Sequence, residues 1–253
     1  YGDLMITNEV SYTTDDPTII NSTFLGGSQV RNLTVVNGSD VDFDSYLNIS
    51  YLKISNFSKV SHQVNDDTQN WIINLSAKDL FLDNSSSINV LGLGYSTNNG
   101  PAPGNGGDDG GSYGGAGGGS TGVLSYGSIT TPFDLGSGGH SGGGGGGAIF
   151  LNISNLITIE GKINANGSDG GGSGSGGSIF IITDSLEGEG TVISNGGRSS
   201  LAGDGSGGGG RVAIYSKTNS FRGEIEAAAT TPGTGGSKGT NGSVFICDTL
   251  SGV

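Results

Sequence analysis

The sequence predicts an all-β chain, a parallel β-helix or β-solenoid with long glycine-rich inserts packed on its coils. Three observations carry this. Short Ile-, Val- and Phe-rich runs bounded by Asn, Asp, Ser and Gly fill the chain, which is the pattern of strands and turns. Four of these runs recur at steps of 30, 33 and 32 residues. Helix signals are nearly absent: no long stretch spaces its apolar residues at three and four, and glycine opposes a helix by about 1 kcal/mol each time it occurs.

Residues 1–91 hold only 4 of the 53 glycines. Leu33, Leu52 and Ile72 each head a strand-like run and lie 19 and 20 residues apart. Ile88-Asn89-Val90 reads like Ile163-Asn164-Ala165 further along. This part is expected to form sequon-rich β coils without glycine inserts. Residues 92–147 form a glycine-rich insert. Residues 148–253 are expected to be solenoid repeats of about 30–33 residues, each burying its apolar face against its neighbours.

The repeats align on Ala148-Ile149-Phe150-Leu151, Ser178-Ile179-Phe180-Ile181, Arg211-Val212-Ala213-Ile214 and Ser243-Val244-Phe245-Ile246, preceded by Gly147, Gly177, Gly210 and Gly242. Ile149, Ile179, Val212 and Val244 should stack on one face, and Leu151, Ile181, Ile214 and Ile246 should form the next ladder. A further apolar residue follows in each copy, at Leu156, Leu186, Phe221 and Leu250. A second short strand then opens at Gly161, Gly190 and Gly223, and Asn166-Gly167 and Asn195-Gly196 turns close two of them. Phe150, Phe180 and Phe245 point to the opposite face from the ladder, so that face is apolar too. The glycine tracts are expected to cover it, since glycine lets backbones approach closely. The fourth copy reaches Leu250-Ser251-Gly252-Val253 without its second strand. More of the same polypeptide, or the first coils of another copy, is expected to cover that edge.

The cadence Ser206–Tyr215, paired with Gly176–Ile181 and Gly190–Gly197, resembles glycine-rich repeats in very large surface proteins of protists and bacteria. The resemblance spans roughly residues 140–253. It implies a parallel β-helix with an adhesive or coat-forming role.

Ten Lys and Arg against 23 Asp and Glu leave a net charge of −13. That balance excludes nucleic acid and an anionic membrane surface as partners. No apolar run approaches the ~20 residues of a membrane helix, so no membrane insertion is expected. Asn-X-Ser/Thr occurs at Asn21, Asn32, Asn37, Asn48, Asn56, Asn74, Asn84, Asn152, Asn166 and Asn241. These are 10 of 21 asparagines, where chance gives roughly 5. The excess points to N-linked glycans and an extracellular or cell-surface location. The single Cys247 permits no internal disulfide.

Catalytic and metal signals are sparse. The acids after Ile149 (Glu160, Asp169, Asp184, Glu187, Glu189, Asp204, Glu224, Glu226 and Asp248) are scattered, where a polysaccharide-cleaving site needs them clustered. His62 and His140 are too few for a metal site. Gly106–Gly110 and Ala202–Gly205 do not fit the calcium-binding nonapeptide, which leaves calcium undecided by motif. No Gly-Lys-Ser/Thr follows a glycine cluster, so phosphate binding is rejected. No cofactor, catalytic residue or metal ligand is assigned. The expected function is a structural segment of an extracellular glycoprotein fibre or coat, not an enzyme, partnered by copies of itself or by further repeats of its own polypeptide. The alternatives are a carbohydrate- or cell-binding adhesin segment, with Tyr95, Tyr113 and Tyr126 as its aromatic candidates, and a polysaccharide-active β-helix enzyme.

Overall fold

Runs in which apolar and polar residues alternate become strands, because a pleated strand sends successive side chains to opposite faces. The computed structural model describes residues 2–7, 30–43, 45–119, 125–200 and 202–248. The first sheet contains β1 (Gly2–Thr7), β2 (Val30–Val36), β4 (Leu47–Asn48), β5 (Tyr51–Ile54), β7 (Ile73–Leu82), β9 (Ala148–Ile159), β11 (Ser178–Glu187), β13 (Arg211–Asn219) and β15 (Ser243–Asp248). Its order is β1-β2-β5-β7-β9-β11-β13-β15, with β4 also on β7. The second sheet contains β3 (Asp40–Asp42), β6 (Lys59–Ser61), β8 (Ser87–Asn89), β10 (Lys162–Asn164), β12 (Thr191–Ile193) and β14 (Glu224–Glu226), in that order. All pairings between these strands are parallel. From β2 onward the chain passes from the first sheet to the second and back, so this is an all-β fold of two parallel sheets built from repeating short strands.

The core lies between the sheets. Ile73, Ile149, Ile179, Val212 and Val244 are in register across five strands, as are Leu75, Leu151, Ile181, Ile214 and Ile246. Neighbouring rungs stand about 4.8 Å apart. The second sheet supplies Val41, Val60, Ile88, Ile163, Val192 and Ile225 at steps of 19, 28, 75, 29 and 33 residues. All of these inner rungs are buried except at the edges. Val244 and Ile246, on the outermost described strand, are 44% and 46% exposed.

Three sequence expectations need correction. The step of about 20 residues holds from Leu33 to Leu52 but not beyond, where Leu52 pairs with Leu80, because β7 is long enough to receive β4 on its first half and β5 on its second. Leu156 is not the rung beside Leu186. A register shift between Thr183 and Ser185 sets Leu186 against Ile157, and Ile157 is the fully buried residue. Glycine tracts alone do not cover the outer face of the first sheet, as described below. The Leu250 rung and the end of the fourth copy lie outside the described residues.

The glycine tracts leave the second sheet and return to the point of departure. Gly147, Gly177, Gly210 and Gly242 donate backbone hydrogen bonds to the carbonyls of Val90, Ala165, Ser194 and Ala227, at 2.7–2.9 Å. Each therefore closes an excursion. Within an excursion the legs bond to each other, as Gly174 to Ser168 and Gly207 to Gly197. Return legs of successive excursions bond too, Gly146 to Ser175, Gly176 to Gly208 and Gly209 to Thr240. Residues 110–118 of the first excursion add a further leg, with Gly111 bonded to Ser173 and Gly208 bonded to Gly111.

Glycine is required here for proximity. A Cβ on Gly145 or Gly174 would fall 1.8 Å from the carbonyl oxygen of Gly136 or Gly144. Glycines at the tips have a different reason. Gly203 and Gly235 sit in open space with φ of +92° and +76°, where the chain reverses.

Candidate functional site

The sequons divide between two surfaces and the glycine legs. Asn37, Asn56 and Asn84 are exposed at the same corner of three successive repeats, between the first sheet and the second. Asn37 and Asn56 have φ of +59° and +57°, a conformation Asn tolerates better than other side-chain-bearing residues. Gly38 N–H bonds the Asn56 carbonyl, and Asn56 N–H bonds the Asp83 carboxylate, so the corners are tied rung to rung. Alternation turns Asn32, Asn48, Asn74 and Asn152 away from the core on the first sheet. Asn48 and Asn152 are exposed there, and Asn32 and Asn74 are half-buried. Ser76 pairs with both Asn48 and Asn152, which places these two on alternate rungs.

Asn166 and Asn241 lie in the glycine legs. Their side-chain oxygens accept the N–H groups of Asn195 (2.6 Å) and Ala229 (3.0 Å). Asn241 is exposed, whereas Asn166 is half-buried in the legs. Asn21 lies outside the described residues.

The aromatic candidates are differently placed. Tyr113 is 0% exposed, its hydroxyl 2.7 Å from Ser178 Oγ, and burial pushes its pKa up. Tyr126 packs on it at 4.8 Å between ring centroids and donates to the Leu135 carbonyl. Burial raises its pKa as well. Arg211 lies over the Tyr113 ring and donates to the Tyr126 carbonyl at 2.8 and 3.0 Å, and to Ser243 Oγ. Tyr95 is half-buried.

These residues fasten the insert onto the outer face of the first sheet. Phe133 completes the cover, edge-on to Phe150 and Phe180 at 5.0 and 5.3 Å. The cover of that face is thus partly aromatic. One signal in the sequence marked it: Arg211 stands where the other copies have Ala148, Ser178 and Ser243.

The scattered acids serve local bonds. Asp184 pairs with Lys217 at 2.7 Å, Glu226 accepts from Asn195, and Glu160 accepts the Glu189 N–H. Among the described residues, no group of three or more His, Cys, Asp or Glu is placed to hold a metal ion. His140 is 4.0 Å from Asp108 on the surface. His62 is buried. Its Nδ1 faces the Gln63 carbonyl at 2.7 Å and its Nε2 faces the Ala148 N–H at 3.3 Å. Desolvation lowers its pKa to about 4, against the opposing pull of the Gln63 carbonyl and Asp42. Sequence reasoning missed this role because the contact joins residues 86 apart.

Compared with family models, with curated proteins and with solved structures, the chain matches none.

Proposed function

We propose that the chain is a glycine-rich β-solenoid segment of an extracellular, N-glycosylated fibre or surface coat, with a structural rather than catalytic role. The observation that carries this reading is the packing of the glycine legs. Flexible Gly/Ser linkers have no need to exclude a methyl group, yet on glycine after glycine here a Cβ would fall about 2 Å from a neighbouring backbone oxygen. The peptide groups of the legs bond sideways to neighbouring legs, as Gly176 to Gly208 and Gly209 to Thr240. An apolar ladder beside such a layer makes a stiff rod.

The sequon corner at Asn37, Asn56 and Asn84 supports the glycoprotein reading, because glycans there would project from the side of the repeat away from the glycine legs. The likeness of residues 140–253 to repeats of large surface proteins supports it too. Half-exposed Val244 and Ile246 offer a surface that another coil would complete. That coil would come from further repeats or, head to tail, from a second copy, and a head-to-tail contact that does not close generates a filament. The adhesin alternative now rests on Phe133 and Ile129, 38% and 51% exposed, since Tyr113 is buried.

The test is secretion from a eukaryotic cell, followed by intact-mass analysis and sedimentation across a concentration series. We expect several N-glycans and concentration-dependent elongation. A chain without sugar would remove the glycoprotein reading, and a monodisperse monomer at high concentration would remove head-to-tail assembly.

A further inference from the structure

Among the described residues most buried polar side chains of the glycine layer have partners; Ser173 Oγ and the carboxylate of Asp204 are exceptions. Asp204 is 5% exposed, and its Oδ2 has no hydrogen-bond partner among the described residues. A carboxylate buried without a counter-charge is strongly destabilising. Its surroundings hold the complementary half of a site. Gly205 N–H bonds the Asp108 carbonyl at 2.9 Å, which brings Asp204 alongside the Asp108 loop. Ser141 Oγ donates to the Asp108 carboxylate, and the Ser141 carbonyl accepts the Gly171 N–H at 2.7 Å. Gly171 is closely packed here, since a Cβ on it would fall 2.8 Å from Ser141 Cβ, and the oxygens of Asp204 and Ser141 converge beside it. A Cβ there would be 3.3 Å from Asp204 Oδ2 and 3.0 Å from the Ser141 carbonyl oxygen.

We propose that Asp204, the Ser141 carbonyl and Asp108 bind a hard divalent cation, Ca²⁺ by preference, at the tips of the glycine excursions. The donor set is all oxygen, with two carboxylates and a backbone carbonyl, which suits Ca²⁺ rather than a thiolate- or imidazole-seeking metal. Two carboxylates fall short of a protein-only cage, so further carbonyls or water complete the shell. The charge of the ion replaces the missing partner of Asp204. It also ties the tip of the long first excursion, through Asp108 and Ser141, to the tip of the third.

The experiment uses the full chain, stripped with a chelator and then titrated with Ca²⁺ alone while thermal unfolding is followed. The site predicts a rise in Tm of roughly 3 °C or more at saturating Ca²⁺, abolished in Asp204→Asn and reduced in Asp108→Asn. Terbium luminescence titrated into the wild-type chain gives a readout that does not depend on any variant folding, with Ca²⁺ expected to displace the bound terbium. No Tm shift in the wild-type chain, an equal shift in folded Asp204→Asn, or no Ca²⁺-displaceable terbium would each overturn the assignment.

Discussion

His62 is held as a neutral ring from both sides. Nδ1 must carry the proton to donate to the Gln63 carbonyl, and Nε2 must be bare to accept from Ala148 N–H. A second proton would set two donors against each other in a dry site. The folded pKa of about 4 lies below the 6.5 of the free side chain, so the unfolded chain binds the proton more readily. The stabilisation is therefore complete above pH 6.5, declines as pH falls through the window from 6.5 to about 4, and is lost below it. A shift of that size corresponds to about 3 kcal/mol. Urea unfolding at pH 7 and pH 4 should show the wild-type chain losing about that much more stability than His62→Gln, which carries no titrating ring. Equal losses would mean that the imidazole does not titrate between folded and unfolded states.

At the scale of one glycine leg, residue choice follows from distance. Gly174 lies between the excursion before it and the one after, and a Cβ on it would meet the Gly144 carbonyl oxygen at 1.8 Å. Gly174→Ala should cost about 3 kcal/mol or more, because the Gly144–Gly145 backbone must move. Gly235→Asn, at a tip with open space and φ +76°, should cost under about 1 kcal/mol. Denaturant midpoints of the two variants check this, and similar midpoints would show the legs to be loose.

The ladder of the last four repeats was legible because each copy opens with a glycine followed by a short apolar run, and such a run fixes register when one face is buried. Ile149, Ile179, Val212 and Val244 fell into line for that reason. The earlier coils were harder to read. The break between β4 and β5 and the length of β7 set Leu80 beside Leu52. The extra residue in β9 between Ile153 and Leu156 hid Ile157 behind Leu156. Among site residues, exposure of the corner sequons follows from turn chemistry. The burial of Tyr113 and the orphaned oxygen of Asp204 come from contacts between distant excursions, which no local pattern encodes.

The whole molecule joins two layers held by different forces. Between the sheets, Ile, Leu and Val stack and water is excluded. Beyond them, glycine legs are joined peptide to peptide, and apart from Tyr113 and Leu135 they bury few large apolar side chains. Melting the first layer exposes hydrocarbon and raises the heat capacity, whereas melting the second exposes amides and lowers it. The two contributions oppose each other to a degree that a protein of ordinary composition does not reach. Calorimetry should give a heat-capacity increment on unfolding below the roughly 12–15 cal/mol/K per residue of typical globular domains. A value within or above that range would mean that the glycine legs contribute no folded amide surface. A small increment flattens the stability curve, so such a chain should hold its shape over a wide span of temperature, in cold water as well as warm.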